Sequence, residues 1–532
     1  MSAYPLSVLA NGQLLVDTDH PQARACIVAI QGFCRITAYT GRYVRAKMER
    51  TSLWNAAANG MTAQDVSALL TAHAGVIEVT VERTIHTLME RWGMLVLTGQ
   101  ADALVLEVHD PLGALLLLHD ARLHSVFRTE QGENCYRIDE RQRGLIKQLL
   151  TKRGWPVIDN AQTRNGNALA IEWNNSVTLY PYQQHAVDAA VASTHGVVVL
   201  PPGSGKTYIG VALIAALQQH ALVITSSRAA AQQWHDSIAR ATTIDATVLG
   251  IYRRMSPVTP ITVTTYQQLI HAPQALLDAA WGVILYDEVH TLPAPVFRST
   301  AALQSRRRYG LSATLVREDG NITDVYSLVG PQRYTVPWRT LEQAGYIAPV
   351  QCIAVTVDHT PTERAAYLGA FPRQYGRIAA MASAKLTVLE RLAAQHADAS
   401  ILVIGQYIEQ LQQCAALTGW PLLTGNTPEE ERQALYEAFR SGQAARLIVS
   451  KVANQAIDLP NATVLIQLSG AYGSRQEEAQ RLGRVLRVHQ GEAAFFYSLM
   501  TTQTREIDDN WQRQRFLVAQ GYRYTTIDGA TL

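Results

Sequence analysis

Cysteine is scarce in this 532-residue chain, and its placement argues against two structural roles. The five cysteines, Cys26, Cys34, Cys135, Cys352 and Cys414, are scattered, odd in number and never form a C-x-x-C pair. This pattern argues against a disulfide framework and against a structural zinc site. It also indicates a reducing compartment.

Long apolar runs and a strong charge imbalance are also lacking. No uncharged span reaches the ~20 apolar residues that a transmembrane helix needs, and a basic segment followed by an apolar run is not found at the start. We therefore expect a cytoplasmic protein without membrane contact. Because the formal net charge is only +2, any nucleic-acid site has to be a local basic groove.

Internal repeats and low-complexity segments are absent as well, so the domains have to be inferred from hydrophobic patterns. An apolar content of 48% with 17% charged residues is typical of a globular chain. At ~150 residues per domain, the length predicts three or four domains. We expect accessory α+β domains at 1–97 and 98–172, followed by larger domains at 173–340 and 341–532.

The two accessory regions carry no catalytic constellation. Asn11-Gly12 between two apolar runs predicts a hairpin. A basic helix at 142–150 is followed by Lys152-Arg153-Gly154-Trp155, which would suit contact with a phosphate backbone and a base, or would simply be a solvated helix face. The polar stretch 159–167 is the best candidate for a linker.

From Leu179 onward, short apolar strands alternate with amphipathic helices, a pattern typical of parallel sheets. The first predicted strands are 197–200, 221–225, 261–264, 283–286 and 309–312. The second set is 350–357, 401–404, 447–449, 464–467 and 493–497. The predicted fold class is therefore α/β, with two parallel-sheet domains, α+β accessory domains and a small helical insertion near 361–395.

That insertion interleaves aromatic and basic side chains, which would suit a lobe that grips a nucleic-acid strand or a plain helical hairpin. The side chains are Tyr367, Phe371, Arg373, Tyr375, Arg377 and Lys385.

A glycine loop joins the first predicted strand to a helix and suits the phosphates of a nucleotide. Its candidate ligands are Pro202, Gly203, Ser204, Gly205, Lys206 and Thr207. Lys206 would neutralise phosphate charge, and Thr207 would offer its hydroxyl to Mg²⁺. Leu200 stands where the strict P-loop pattern has glycine, so the loop fits only the shorter G-x-G-K-[ST] form. An ordinary strand–turn–helix connection is the alternative.

A second candidate segment ends the predicted strand 283–286 with Asp287, Glu288 and His290. At the carboxyl end of a parallel strand these side chains would face the phosphates. Asp287 suits Mg²⁺, Glu288 suits an attacking water, and His290 would sense the γ-phosphate. Hydroxyls at 312–314 would couple the site to the neighbouring domain, and the Gln183 amide would read an adenine edge.

A third candidate segment is Gln480-Arg481-Leu482-Gly483-Arg484-Val485-Leu486-Arg487. Arg484 and Arg487 share one helix face. Their guanidiniums would reach across a cleft to stabilise charge on the transferred phosphoryl group, as arginine fingers do. A surface helix with three arginines is the alternative.

In this order and spacing, these segments resemble the motif set of superfamily 2 helicases. A closer resemblance, to the XPB (xeroderma pigmentosum group B) family and to a bacterial member of it, covers roughly 179–527. It rests on the stretches 310–319, 329–331, 345–348, 458–460, 473–484, 495–499 and 516–522. The family usually has Arg before Pro-Tyr-Gln, whereas this chain has Tyr180 there. Gln406-Tyr407 is a second departure from the family pattern, at a position where a DNA contact would otherwise be assigned.

The resemblance implies an ATP-driven 3′→5′ DNA helicase or duplex translocase with two RecA-like domains, Mg²⁺ as cofactor and Gln480 among its catalytic residues. A nuclease partner and a place at the nucleoid would be reasonable by family. Arg317, Glu318 and Asp319 match an element associated with DNA opening, and the helical insertion matches a thumb-like lobe. A surface turn is the alternative for the three charges.

The remaining expected DNA contacts follow from groups at loops and helix N-termini, which hold phosphates without reading bases. They are Arg228, Thr265, Thr424 and Lys451. Two rival functions remain open. One is a translocase that moves on duplex DNA without unwinding it, and the other is a DNA-binding scaffold whose ATP cycle only switches affinity.

Overall fold

The fold was analysed in a computed structural model, in which the chain divides into two units. Unit 1 comprises Met1–Leu200 and Gly205–Val336, and unit 2 comprises Pro201–Ser204 and Pro337–Leu532. The structure describes residues 3–40, 42–100, 103–110, 123, 127–130, 134–162, 165–174, 177–253, 256–271, 274–292, 300–301, 303–315, 322–450, 462–470 and 493–532. The apolar stretch 115–118, which the sequence predicts as a strand, lies outside these residues.

Unit 1 begins with an antiparallel sheet of order β1-β2-β4-β3 packed against four helices. The strands are β1 (Leu6–Val8), β2 (Gln13–Asp17), β3 (Arg35–Thr40) and β4 (Tyr43–Lys47). The helices are α1 (Ala23–Gln31), α2 (Arg50–Ala58), α3 (Ala63–Ala74) and α4 (Val79–Glu90). The predicted Asn11-Gly12 hairpin is confirmed, because β1 and β2 pair antiparallel on either side of it.

A second sheet of unit 1 has the order β7-β8-β6-β5-β9, with α5 (Arg143–Lys152) preceded by a 3₁₀ turn at Glu140–Gln142. Its strands are β5 (Leu95–Gln100), β6 (Ala103–Val108), β7 (Phe127–Glu130), β8 (Cys135–Ile138) and β9 (Val157–Asp159). Because β5 crosses the expected boundary between residues 97 and 98, we propose that this domain begins before Leu95.

The third sheet of unit 1 is entirely parallel, with the order β12-β13-β11-β14-β15-β10-β16. The strands are β10 (His195–Val199), β11 (Ala221–Thr225), β12 (Leu249–Ile251), β13 (Ile261–Thr265), β14 (Val283–Asp287), β15 (Arg307–Ser312) and β16 (Gln332–Thr335). The helices are α6 (Pro181–Ala192), α7 (Lys206–Leu217), α8 (Arg228–Ala241), α9 (Tyr266–Ile270), α10 (Gln274–Asp278) and α11 (Ile322–Val329), with a 3₁₀ turn at Val289–Thr291.

The edge strand β16 is covered by the end of helix α2. Asn55 Oδ1 accepts a hydrogen bond from Gln332 N, and Asn59 Nδ2 donates one to Gln332 O, each at 2.9 Å. Arg333 Nη1 donates to Ala58 O at 2.7 Å. An open sheet edge is prone to pair with other chains, so these side chains satisfy the edge and also dock the N-terminal region on the third sheet.

Unit 2 contains a second seven-stranded parallel sheet, of order β19-β20-β18-β21-β22-β17-β23. The strands are β17 (Val350–Val357), β18 (Ile401–Gly405), β19 (Leu422–Leu423), β20 (Arg446–Ser450), β21 (Val464–Gln467), β22 (Ala494–Thr501) and β23 (Tyr524–Asp528). The helices are α12 (Trp338–Gln343), α13 (Pro361–Gly369), α14 (Tyr375–Ala380), α15 (Ala384–Gln395), α16 (Ile408–Thr418), α17 (Glu429–Arg440) and α18 (Arg505–Ala519), with 3₁₀ turns at Pro372–Gln374 and Gly529–Thr531. The predicted fold class is confirmed.

Both expected roles for the basic helix at 142–150 are wrong for two of its cations, Arg143 and Lys147. Arg143 and Lys147 are 4% and 7% exposed. Arg143 Nη2 and Lys147 Nζ bond to the Asp159 carboxylate at 2.9 and 2.7 Å. Asp159 was expected to open a linker, but it ends the buried strand β9. Both cations are therefore paired with a carboxylate inside unit 1. Trp155 is covered as well, because the Arg91 guanidinium carbon lies 4.8 Å from the centroid of its ring.

The helical insertion is smaller than expected. Val388, Leu389 and Leu392 of α15 belong to the apolar core of the unit 2 sheet, which leaves α13 and α14 as the helices of the insertion. The expectation that Lys385 grips a nucleic-acid strand is wrong, because Lys385 is 1% exposed and its Nζ is ion-paired with Glu506 at 2.7 Å. Tyr367 and Tyr375 stack on each other with ring centroids 4.8 Å apart.

Replacing Asp159 with Asn should destabilise unit 1 strongly. Burial alone would raise the pKa of Asp159, but Arg143 and Lys147 outweigh it and hold the pKa well below its usual range. The carboxylate's contribution is therefore present above an unfolded-state pKa of about 3.9 and lost as the pH falls below it. Leaving two buried cations unpaired should cost about 3–5 kcal/mol.

Urea denaturation at pH 7.5, monitored by tryptophan fluorescence, measures the free energy of unfolding of the variant and of the parent. Asp19→Asn is the matched control, because Asp19 is 63% exposed and its Arg42 pair is long, at 3.4 Å, so it should cost under about 1 kcal/mol. Equal shifts in the two variants would contradict the analysis.

Candidate nucleotide and DNA site

The glycine loop lies between β10 and α7, as expected. Gly203 and Gly205 have φ values of 77° and 74°, a backbone conformation that side-chain-bearing residues avoid. A Cβ atom at Gly205 would stand 2.3 Å from Gln183 Nε2. Gly203 is thus required for the turn. Gly205 is required both for the turn and for the close approach of the Gln183 amide.

Gln183 itself is 4% exposed, and its Oε1 accepts a hydrogen bond from Tyr180 N at 2.8 Å. The amide therefore lies against the glycine loop and closes the start of α6. Tyr180 is half exposed and its ring stacks on Tyr182 at 6.0 Å. Reading of an adenine edge by Gln183 stays a prediction.

Lys206 is the first residue of α7 and points back along the loop. Its Nζ donates to Leu200 O at 3.2 Å and lies 4.0 Å from Glu288 Oε1. The side chain is 9% exposed. A single ammonium therefore stands between the loop backbone and a carboxylate, the position from which it can neutralise phosphate charge.

Asp287 ends β14 and is held by two aromatic residues. Trp234 Nε1 donates to Asp287 Oδ2 at 2.9 Å, and the Tyr266 hydroxyl donates to the Asp287 carbonyl at 2.9 Å. Burial, together with the neighbouring Glu288 carboxylate, raises the pKa of Asp287 to about 6. A cation at this carboxylate would favour its charged form.

Glu288 has φ 47° and ψ 50°, the left-handed conformation that is uncommon outside glycine. This turn directs its carboxylate to several partners at once. Glu288 Oε2 lies 3.3 Å from His290 Nδ1 and accepts from Ala313 N at 3.4 Å. A strained backbone at such a residue is a mark of functional sites.

His290 connects β14 to β15. Its Nδ1 lies 2.6 Å from Ser312 Oγ, and Ser312 Oγ in turn donates to Thr314 O. His290 and Ser312 are buried. The strand register explains why His290 and Ser312 lie close together. Asp287 pairs with Leu311, and Val199 pairs with Ser312, so β10, β14 and β15 end at the same edge of the sheet. The predicted residues of unit 1 are thus brought together.

The donor set suits Mg²⁺ only with help from a substrate. Thr207 offers a hydroxyl and Asp287 a carboxylate, the hard oxygen ligands that Mg²⁺ prefers. Within the described part of the chain, no group of three or more His, Cys, Asp or Glu residues could hold a metal ion. Phosphate oxygens and water would therefore have to complete the coordination shell, which is usual for Mg²⁺.

Two expected DNA contacts of unit 1 lie at the same sheet edge. Arg228 is exposed at the first position of α8, and Thr225, three residues before it, pairs in register with Thr265. Thr265 is 7% exposed, and its hydroxyl accepts from Gln268 N at 3.2 Å. The Arg228 side chain is therefore exposed to solvent, whereas the hydroxyl of Thr265 already caps a helix.

The expected contact at Thr424 of unit 2 sits in a tight turn. Thr424 Oγ1 accepts from Asn426 N at 3.2 Å, and Thr424 N donates to Thr427 Oγ1 at 3.0 Å. The first turn of the next helix, α17, holds Glu429, Glu430 and Glu431. Three carboxylates do not favour a phosphate at that helix end, so the Thr424 contact stays a prediction.

Several expected site residues lie outside the described residues. They are Arg317, Glu318, Asp319, Lys451, Gln480, Arg484 and Arg487. Their roles stay predictions.

Trp234 is a functional residue that sequence reasoning missed. It is 1% exposed and orients the Asp287 carboxylate. The sequence signal that could have pointed to it is Gly210, a glycine in the middle of the helix α7. A Cβ atom at Gly210 would stand 2.3 Å from the Trp234 ring. A glycine inside a helix costs stability, so it can mark the close approach of a large side chain.

Two parallel α/β sheets, one with a P-loop and an acidic strand end, define the chain as a RecA-like helicase of superfamily 2. Residues 341–531 match the ERCC3/RAD25/XPB C-terminal helicase family. Residues 176–317 match the res subunit of type III restriction enzymes, and residues 6–131 match a family described as a helicase conserved C-terminal domain.

Curated relatives extend this result over the whole chain. DNA 3′-5′ helicase XPB of Kineococcus radiotolerans is 41% identical, with 99% of this chain and 97% of the relative covered. DNA 3′-5′ helicase XPB of Mycobacterium tuberculosis is 39% identical, with 100% and 99% covered. The chain belongs to the XPB family of helicases.

A solved structure supports the fold. A Dbp5 variant of S. cerevisiae bound to RNA and ADP BeF3 aligns with a TM-score of 0.50 and 13% identity, covering 73% of this chain and 93% of that one. None of the helices in the described residues has the length and apolarity needed to cross a bilayer.

Replacing Glu288 with Gln should leave ATP binding intact and slow hydrolysis at least ~100-fold, the size expected for loss of a general base. Gln keeps the size of the side chain but cannot take a proton. Steady-state ATP turnover and nucleotide binding by the same preparation measure the two effects. Lys206→Ala should abolish turnover, and Glu437→Gln, at an exposed glutamate of α17, should change nothing. Parental turnover in Glu288→Gln would refute the assignment.

Proposed function

We propose that this protein uses ATP hydrolysis to move 3′→5′ along DNA and to open the duplex. The observation that supports this most directly is the cluster at the ends of β10, β14 and β15. There Lys206 lies 4.0 Å from Glu288, and His290 lies 2.6 Å from Ser312. Family membership supports the same reaction.

Each residue of the cluster has one task in the proposed reaction. The glycine loop and Lys206 bind the phosphates, and Thr207 with Asp287 would hold Mg²⁺, which supplies charge neutralisation between the phosphates. Glu288 orients a water molecule and accepts its proton. Trp234 keeps the Asp287 carboxylate in place through its hydrogen bond to Oδ2.

His290 and Ser312 carry the state of the nucleotide away from the reacting atoms. His290 contacts both the Glu288 carboxylate and the Ser312 hydroxyl. A change in charge at Glu288 therefore alters the hydrogen bond at Ser312. Because residues 312–314 closely precede Arg317, Glu318 and Asp319 in sequence, we propose that this bond links the state of ATP to the opening element.

In unit 2 we assign the finger role to Arg484 and Arg487, assisted by Gln480. A guanidinium that acts on the charge of the transferred phosphoryl group should raise the turnover rate with little effect on ATP affinity. Phosphate contacts by Arg228, Lys451 and neighbouring loop groups would hold the DNA. A nuclease that removes an opened strand is the partner class that this activity would serve.

The double substitution Arg317→Ala with Glu318→Ala should uncouple the two activities. In this proposal the two charges act on the duplex and not on the phosphates of ATP, so ATPase stimulation by DNA should persist while most strand separation is lost. Both are measured on one forked substrate at one salt concentration. Unwinding at the parental rate would reduce the element to a turn. ATPase that falls in parallel would place it in the coupling site.

The same assay separates the rivals. A duplex translocase would displace a roadblock without separating strands, and an ATP-switched scaffold would hydrolyse ATP without any movement.

DNA affinity should fall steeply with salt and vary little with sequence. Contacts to phosphates release counterions, so the logarithm of the binding constant should fall linearly with the logarithm of salt concentration. Fluorescence anisotropy with two unrelated duplexes from 50 to about 200 mM salt measures the slope. A marked preference for one sequence at constant salt would contradict the phosphate-contact proposal.

A further inference from the structure

The helices α1 to α4 pack against only one face of the N-terminal sheet. Val44 and Ala46 of β4 point into the core that these helices share, whereas Tyr43, Arg45 and Lys47 alternate with them and are exposed. Successive side chains of a strand point to opposite faces, so the three exposed residues lie together on the outer face. We call this outer face the open face, and it includes Leu15, Asp17, Arg35, Tyr43, Arg45 and Lys47.

The docking of the N-terminal region on the third sheet does not use the open face. The contacts come from helix α2, whose Asn55 and Asn59 bond to Gln332. Trp54 of the same helix packs on Tyr326, with ring centroids 5.7 Å apart. In the part of unit 1 that the structure describes, the exposed residues of β4 are therefore left to solvent.

Arg45 and Lys47 carry the unpaired charge of the open face. Neither side chain forms a hydrogen bond or an ion pair with another described residue. Across the strands, Arg45 stands opposite Leu15, and Lys47 stands opposite Arg35, which is ion-paired with Glu49 at 2.5 Å. Like charges placed opposite each other destabilise a sheet. The fold therefore gains nothing from this arrangement, whereas a bound anion would give both cations a partner.

Tyr43 adds an aromatic ring to the same strand. Arg42 lies over it, with the guanidinium carbon 5.9 Å from the ring centroid. Asp17 and Asp19 both pair with Arg42, so the acidic groups nearby already have a cation. Tyr43 is nevertheless 43% exposed, which leaves its ring accessible to a ligand.

An exposed ring beside two unpaired cations matches the chemistry of a single nucleic-acid strand. Arginine and lysine hold its phosphates, and aromatic rings stack on its bases. An antiparallel sheet of four strands with one uncovered face is a known platform for unpaired bases. Alternate residues of a strand lie about 7 Å apart, so Arg45 and Lys47 can hold separate phosphates. A duplex keeps its bases stacked inside, and it would leave the Tyr43 ring and the partly exposed Leu15 without contact.

We propose that the open face binds single-stranded DNA, with phosphates held by Arg45 and Lys47 and a base stacked on Tyr43. This site lies outside both parallel sheets and gives the N-terminal sheet a binding role of its own. The choice of DNA rests on the proposed function, because strand opening supplies single strands of DNA. The net charge of the chain is only +2, so a nucleic-acid site has to be local, as this one is.

The first test is Arg45→Gln with Lys47→Gln in the full chain. The logarithm of affinity for labelled oligothymidine should fall less steeply with the logarithm of salt, by about 1.4 in slope, because each contact to a single strand contributes about 0.7. The affinity itself should fall at least ~5-fold at about 50 mM salt. Fluorescence anisotropy without nucleotide measures both, and the melting temperature checks the fold. Each single substitution should change the slope by about 0.7, which decides the question if the double variant does not fold.

Arg24→Gln with Arg83→Gln is the matched control. Both arginines are exposed on helices α1 and α4, which pack on the opposite face of the sheet. The control changes the net charge by the same amount, and it should keep the parental slope and an affinity within about twofold of the parent. Equal losses in the two double variants would reduce the effect to overall charge and overturn the proposal.

Tyr43→Thr tests the base contact. Thr keeps a high preference for strands but cannot stack, so affinity for oligothymidine should fall about tenfold, the size expected for one stacked base. Tyr43→Phe should bind like the parent. An abasic strand of the same length should bind the parent and Tyr43→Thr equally. Parental binding of oligothymidine by Tyr43→Thr, or an equal loss on the abasic strand, would overturn the stacking contact.

A duplex closed by hairpins at both ends tests the preference for single strands. The parent and the variant Arg45→Gln with Lys47→Gln should bind it equally, and a loss confined to this duplex would overturn the proposal. A strand-separation assay keeps the two proposals distinct. If the parent separates no strands but the variant loses affinity for oligothymidine, the proposed function fails and the open face stands. If the parent separates strands and the variant binds oligothymidine like the parent, only the open face fails.

Discussion

The parallel register of β10, β14 and β15 is the constraint on which the site in unit 1 depends. Their consecutive interior residues are buried on both faces of the sheet, so a strand that slid by one residue would lose close packing on both sides. With the register fixed by burial, Val199 pairs with Ser312 and Asp287 with Leu311. The polar residues that follow each strand are therefore delivered to one edge, and His290 meets Ser312.

Buried charge forms a second level of organisation in each unit. In unit 1, Arg143 and Lys147 share the Asp159 carboxylate, and in unit 2, Lys385 pairs with Glu506. Such pairs contribute little net stability compared with apolar side chains of the same volume. Their effect is geometric, because a broken pair leaves an uncompensated charge and the packing around it has few alternatives.

Much of the candidate site was predictable because the residues proposed to bind phosphate lie in short, local patterns. Gly203, Gly205 and Lys206 occur between a strand and a helix, and Asp287 and Glu288 directly follow another strand. Hydrophobic periodicity located ten of the fourteen strands in the two parallel sheets and missed β12, β16, β19 and β23. It did not reveal Trp234, whose contact with Asp287 spans 53 residues of sequence. Nor did it show that β5 crosses an expected domain boundary.

The sequence by itself determined the α/β class, the positions of most strands along the chain and the glycine loop between β10 and α7, because these depend on neighbouring residues. Only the tertiary structure decided what the isolated cations do. Arg143, Lys147 and Lys385 resemble DNA-binding residues in sequence, yet each is paired with a carboxylate inside its unit. The partners lie 12 to 121 residues away, and burial and pairing over such separations follow from packing, which no local pattern records.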